Sequence, residues 1–577
     1  MKKLLTMLCG AALVVSGAEK VASDGPIFSS TIDFLDYAFY DKIGAPDRLT
    51  LEAYEQRIRE MAEGGLAKIY LRVNANGLTI YPTSLSKQYG TDGDYHWFDV
   101  RGARRFIATL KEYDPVAETI RLGHKYGMEV WCWESVFDDS SGPMTPPDAA
   151  LDPEAAARTF SYPLMDPYYR EHPEGYAQLN PRLDLSDEQL EQINREAMEY
   201  PIGRIVVTNR VKGRPPVRFD GGDLEILTSA DNRVYRPYAG KFVFRSGVTD
   251  DGRNFIEIDQ LNITDPYVKL QLSKSFPGSD RDSGYTIAAN AARGLCEVYN
   301  VRGRKVSSVW ATVLDSKRNP NVPFNFAVFN SAGFDSFGNR RQIGFKLGEV
   351  PRQRYFYGVA EFNVPESLEY RVRRFRELAA YPFDGYMMNL RTHSRYPNPG
   401  DYGYNPEVRE KFLQRYGLDI WKDKFDKRKL FELRAEGVAE YLRRCKAEIG
   451  GRPLYISGVP QPTADGKVAG NSYARMFGPL PWLYSRYIAD GSIDGIMLLG
   501  CDKVEDIGLS AEDAAKVKIG VFREMAFPPA NYNYVEDMRR LRQREDIDEV
   551  ELYETMVLTG KPEMFNEIKN VKGSDGK

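Results

Sequence analysis

Residues 116–137 read VAETIRLGHKYGMEVWCWESVF, an amphipathic helical stretch over Val116–Tyr126 that runs directly into an apolar strand over Met128–Phe137. Towards the N-terminus the same alternation recurs. Ala67–Asn76 (AKIYLRVNAN) reads as a strand, Leu51–Glu63 as a helix and Thr31–Tyr40 (TIDFLDYAFY) as another strand. Strand, helix, strand, helix, strand is the order of a parallel sheet.

Towards the C-terminus the rhythm breaks between about Leu185 and Val350. After one helix-like stretch, Asp187–Glu199, short alternating runs follow: Arg204–Val211, Leu224–Thr228, Lys241–Phe244, Asn254–Leu261, Val268–Leu272 and Val306–Val313. Turn-forming pieces such as Asp220-Gly221-Gly222 and Pro277-Gly278-Ser279 separate them, the pattern of an all-β, sandwich-like unit.

The helix–strand alternation resumes near Arg354. Asp384–Arg391, Pro453–Gly458, Ile493–Gly500, Lys518–Arg523 and Glu549–Tyr553 read as strands, with Tyr357–Asn363 only a lead-in. Three strands before the break and five after it make eight, which predicts an α/β fold: a (β/α)8 TIM barrel with an all-β domain inserted after its third strand. An open doubly wound sheet would want a GxGxxG turn after its first strand, and Asp41-Lys42-Ile43-Gly44 offers none. The expected units are a signal peptide at 1–18, barrel pieces at 24–184 and 351–577, and the insertion at 185–350. An insertion after a barrel strand opens on the face where such barrels do chemistry, so it either helps to hold an extended substrate or only shields the barrel.

The whole chain has 577 residues, more than one core usually supports. With 78 basic against 82 acidic residues there is no surplus of positive charge for phosphates, so nucleic acid is not an expected partner. Met1-Lys2-Lys3, the apolar run Leu4–Val15 and Ser16-Gly17-Ala18 form a secretory signal with cleavage after Ala18, which predicts a secreted or periplasmic protein of bacterial type. That run is too short to be a permanent anchor, and no later segment has the character of a membrane span. Cys132, Cys296, Cys445 and Cys501 form no CxxC pair, and His96, His124, His172 and His393 have no metal-binding spacing, so neither a metal nor a cofactor is called for.

The segment Asp384–Trp421, DGYMMNLRTHSRYPNPGDYGYNPEVREKFLQRYGLDIW, resembles the glycoside-hydrolase-like family ten of bacterial (β/α)8 proteins. The resemblance rests on Asp384-Gly385, Arg391, Tyr396-Pro397, Tyr402-Gly403-Tyr404 and Arg415-Tyr416-Gly417, with weaker echoes at Gly64–Ser84 and His172–Pro181. It covers the barrel pieces and not the insertion, and it implies a carbohydrate substrate. Where the family carries an aspartate at the end of the fourth strand, a candidate acid, this chain carries Asn389, and an amide cannot exchange a proton in that role.

Glycoside hydrolysis generally uses two carboxyl groups flanking the scissile bond. Strand-end carboxylates here are Asp36, Glu134, Asp502, Glu524, Glu551 and Glu554. Alternation places Tyr70, Arg72, Asn74 and Asn76 inside the barrel on the second strand, Asn389, Arg391 and His393 on the fourth, and Glu551 and Tyr553 on the eighth; the third and seventh strands can be read either way. The catalytic candidates are Glu524 as nucleophile or base and Glu134 as general acid, unless Arg523 holds Glu524 in a structural ion pair. Arg72, Asn74, Asn389, Arg391, His393, Glu551 and Tyr553 are candidates for binding substrate, and Trp133 is either a sugar platform or a core indole. The function expected is a secreted glycoside hydrolase acting on a polysaccharide or oligosaccharide; the alternatives are a carbohydrate-binding barrel without catalysis and an interaction protein without glycan affinity.

Overall fold

The computed structural model describes residues 25–34, 45–75, 77–89, 101–139, 165–184, most of 186–212, 220–230, 236–272, 291–314, 326–328, 345–346, 354–390, 399–462, 480–525, 532–558 and 562–569. Eight parallel strands close into a barrel in chain order: Ile27–Asp33, Lys68–Arg72, Glu129–Ser135, Gly385–Asn389, Leu454–Gly458, Gly495–Leu498, Lys518–Glu524 and Glu549–Tyr553. Closure removes both sheet edges and excludes the open doubly wound alternative.

The register of the strands fixes which side chains share a height in the lumen. From Asp33 the paired residues run through Arg72, Trp133, Met387, Tyr455, Gly495 and Lys518. Continuing across the eighth strand, the path returns to the first strand's segment at Gly25, eight residues before Asp33. A shear of eight is that of the (β/α)8 barrel, whose interior is filled by layers of four side chains from alternate strands. Allowing for it, the uppermost layer at the C-terminal end is Asp33, Ser135, Val459 and Glu524. Beneath it lie Arg72, Asn389, Leu499 and Tyr553, then Thr31, Trp133, Ser457 and Phe522, then Tyr70, Met387, Met497 and Glu551. Ser29, Trp131, Tyr455 and Gly520 follow, and Lys68, Gly385, Gly495 and Glu549 form the floor. Contacts across the lumen agree: Trp131 meets Tyr455 at 4.6 Å between ring centroids, Trp133 meets Tyr553 at 5.5 Å, and Lys68 pairs with Glu549 at 2.6 Å.

Helices cover the outside. Leu51–Glu63 starts at Thr50, whose hydroxyl accepts from the Ala53 amide, and turns Tyr54, Ile58 and Met61 inward. Pro115–Lys125 starts at Asp114 with proline in its first turn, where no amide proton is needed. Pro365–Ala379 and Lys427–Glu448 pack together beyond the third and fourth strands.

The first strand begins four residues earlier than its apolar pattern predicts, at Ile27, and ends at Asp33 rather than continuing towards Tyr40. Its inward positions are the small polar residues Ser29 and Thr31, which hide the strand from a reading based on hydrophobicity. Tyr355–Ala360 stays off the barrel and pairs antiparallel with Tyr176–Gln178. That ladder ties together the chain segments leaving and re-entering the barrel, and Asn405 secures it by accepting from the Gln178 amide and donating to the Tyr176 carbonyl.

Between those segments, ten strands from Ile202–Lys212 to Phe345–Lys346 form one continuous antiparallel sheet. Arg253–Asp259 shows why: alternate residues Asn254, Ile256 and Ile258 are buried. They join Ile205, Val207, Val268, Leu270 and Val298 in a core separate from that of the barrel. The sheet interrupts the connection after the third barrel strand, where the sequence places its β-rich break. Among the described residues, no helix is long and apolar enough to cross a membrane. The expected signal peptide at 1–18 lies outside the described residues.

Candidate active site

The upper two layers of the lumen bring together four of the candidate residues, Arg72, Asn389, Glu524 and Tyr553, with Asp33, which the sequence did not nominate. Arg72, only 7% exposed, donates to Asp33 at 2.5 Å from one end of its guanidinium, to Asp138 at 2.8 Å from the other, and to the Asn74 carbonyl at 3.2 Å from Nε. All three donor directions of the fork are engaged within the protein, so Arg72 is a buried brace. Asn74 is bound as tightly: its amide donates to the Ser135 carbonyl at 2.9 Å and accepts from the Ser135 amide at 2.8 Å, locking the second strand to the third.

Glu524 ends the seventh strand, faces the lumen in the uppermost layer and is partly exposed. Arg523 beside it points the other way, to Asp502 at 2.8 Å and Asp537 at 2.8 Å. Alternation thus separates the two, and Arg523 spends its charge on those aspartates. Asn389 is buried at the end of the fourth strand and accepts from the Ser457 hydroxyl at 3.3 Å. Trp133 is 1% exposed and meets Tyr553 edge to face, so in this structure it is a core indole rather than an open sugar platform. Tyr553, 4% exposed, also contacts Phe522.

Glu551 lies three layers below Glu524. The Thr31 hydroxyl donates to its Oε1 at 2.5 Å, and burial pushes its carboxyl up to about 8. It is therefore a neutral acid at pH 7. In the upper four layers three polar atoms are buried without a hydrogen-bond partner: Asp33 Oδ1, Trp133 Nε1 and Glu551 Oε2. A packed protein interior rarely leaves such groups unmatched; these three are spread from the first to the fourth layer, and Glu549 Oε1 in the floor is likewise without a partner.

Glu134 does not belong to this site. On the third strand Trp131 and Trp133 face the lumen, so Glu134 faces the helices. There it accepts from Arg371 at 2.9 Å, from Arg374 at 3.5 Å and from the Tyr441 hydroxyl at 3.1 Å, and it is 1% exposed. The role of general acid expected for it does not fit that placement. Arg371 and Arg374 also bind Asp139, and Arg374 binds Asp166 at 2.7 Å. Two guanidinium groups therefore face three buried carboxyl groups, and burial pushes Asp139 up to about 6. Arg391, His393, Asn76 and Asp36 lie outside the described residues.

The motif residues of the Asp384–Trp421 segment have structural tasks. Asp384 accepts from the Val130 amide at 2.7 Å and pairs with His124 at 2.8 Å, fixing the entry to the fourth strand. Gly385 faces Trp131, whose ring would lie 2.6 Å from any Cβ there. Gly403, at φ +100°, lets the chain pass against Arg434, and Gly417, at φ +67°, ends the helix Pro406–Tyr416 in the left-handed conformation.

Sequence reasoning missed Asp33, Asp138, Asp139, Arg371 and Arg374. Asp33 is passed over because the apolar pattern carries the first strand on towards Tyr40 and makes Asp36 its end carboxylate; the arginines sit on a helix whose register towards the third strand only the fold supplies.

No family model matches this sequence, and no curated protein matches it. Among solved structures, the chain aligns with the crystal structure of TcOYE with pHBA at a TM-score of 0.31 and 9% identity, covering 94% of this chain and 89% of that one, a likeness too loose to bear on fold or function.

Proposed function

We propose that this chain is a secreted carbohydrate-active barrel of the glycoside-hydrolase type, working at the C-terminal mouth with Glu524 as one of its two carboxyl groups. The observation that carries this reading is the unpartnered oxygen of Asp33, Oδ1, buried in the uppermost layer of the lumen that Glu524 rims, with Trp133 Nε1 and Glu551 Oε2 unpartnered deeper in the same lumen. Sugars offer many hydroxyl groups, each able to donate and accept, and suit such a lining. The resemblance of Asp384–Trp421 to the glycoside-hydrolase-like family supports the same class.

The test is release of reducing ends from a panel of neutral, uronate-containing and sulfated glycans. Wild type is expected to release product from at least one, and Glu524→Gln to lose about 100-fold or more in kcat, the scale of a missing acid or base. A second reading, a binding barrel without catalysis, draws on Asn389 in the place of an acid. Calorimetric binding of a glycan that is never cleaved, unchanged in Glu524→Gln, would establish it instead.

A further inference from the structure

With Glu134 turned to the helices, the proposed reaction lacks its second carboxyl group. Resting on that reading, we infer that Asp33 supplies it, as the partner of Glu524 across the uppermost layer of the lumen.

Four observations converge on Asp33. It is the last residue of the first strand, and in a (β/α)8 barrel the strand ends at this face carry the chemistry. The register places it at the height of Glu524, with only the eighth strand between them. One of its oxygens is held by Arg72 at 2.5 Å, and Arg72 is itself fixed by Asp138 and the Asn74 carbonyl, so the carboxylate is positioned rigidly. Its other oxygen, Oδ1, has no hydrogen-bond partner although the residue is only 3% exposed.

The separation follows from barrel geometry. Strands about 4.8 Å apart, tilted by about 36°, give a wall on which neighbouring positions of one layer are about 11 Å apart at Cα. Inward-pointing aspartate and glutamate side chains shorten that to about 7 Å between carboxyl groups, within the range that leaves room for a water molecule on the far face of the sugar and gives inversion.

In the step this implies, Asp33 takes a proton from water as the water oxygen bonds to the anomeric carbon. The bond from that carbon to the leaving oxygen breaks, and Glu524 gives that oxygen its proton. The contact with Arg72 keeps Asp33 oriented towards the lumen for that role, which reverses the role expected of Glu524 from sequence. Ser135 and Val459 complete the layer and contribute no charge.

The experiment compares wild type, Asp33→Asn and Asp33→Glu on a glycan that wild type cleaves. Asp33→Asn should lose about 100-fold or more in kcat while binding the glycan within about threefold, and added azide should restore turnover with formation of a glycosyl azide. Asp33→Glu keeps the charge and its pairing with Arg72 but moves the carboxyl by about one methylene; it should melt within a few degrees of wild type yet lose about tenfold or more. A purely structural Asp33 predicts the opposite: activity retained in Asp33→Glu and no azide product from Asp33→Asn, and that result overturns the inference. Failure of wild type to cleave any glycan overturns the hydrolase reading itself, a different outcome from an active enzyme indifferent to residue 33.

Discussion

Arg371 Nη2 sits 2.9 Å from Glu134 Oε1, with the arginine side chain 0% and the glutamate 1% exposed. The pair joins the back of the third barrel strand to the helix Pro365–Ala379, the first helix after the inserted sheet, and so re-docks the chain on the barrel. Breaking a buried pair by removing one partner leaves an uncompensated charge. Glu134→Ala is expected to lose about 3 kcal/mol of unfolding free energy in urea titration, while the activity of the remaining folded molecules is unchanged. A loss of turnover without loss of stability would return Glu134 to the site.

Stability should fall as pH rises, for a reason visible in two carboxyl groups. Burial raises Asp139 to about 6 and Glu551 to about 8, both above their ordinary values of 3.8 and 4.5. The folded protein therefore holds protons that the unfolded chain releases, and each group's favourable contribution, complete at low pH, is lost as pH passes through its folded value. Melting temperature should decline from pH 5 to pH 9. Glu551→Gln should remove the upper part of the decline and exceed wild type at pH 9, provided the amide still accepts from Thr31. Parallel profiles for the two proteins would contradict this.

The floor of the barrel holds a second sealed pair, Lys68 with Glu549 at 2.6 Å, with the ammonium 3.9 Å from the Trp131 ring centroid. Lys68→Met alone is expected to cost about 3–5 kcal/mol because it strands the glutamate. Lys68→Met with Glu549→Leu should cost less than the single change, and a double-mutant cycle by chemical denaturation measures the difference.

Gly385 tests the meaning of the Asp384-Gly385 motif. A methyl group there meets the Trp131 ring at 2.6 Å, and neither the ring nor the strand can move without disturbing Tyr455 and Lys68. Gly385→Ala should destabilise by about 1–3 kcal/mol, read as a lowered melting temperature.

Much of the architecture was legible because periodicity is a property of consecutive residues. Ile69, Leu71 and Val73 against Tyr70 and Arg72 reveal the faces of the second strand directly. Asn389, Glu551 and Tyr553 were likewise placed on the lumen side by alternation. The third strand was not legible in this way, because Trp131, Cys132 and Trp133 are apolar on both faces; contacts with distant segments decide its direction, the ring contacts of Trp131 and Trp133 and the arginine partners of Glu134 more than 230 residues away. The first strand concealed Asp33 for the opposite reason, its inward face being serine and threonine.

The most direct test of the central claim, that carbohydrate is handled at the C-terminal mouth, is a crystal structure of Glu524→Gln soaked with an oligosaccharide. A sugar ring is expected in the upper lumen, with a hydroxyl or the glycosidic oxygen within hydrogen-bond distance of Asp33 Oδ1 or residue 524. Sugar bound only at the barrel floor or along the inserted sheet, with the mouth unchanged, would contradict it.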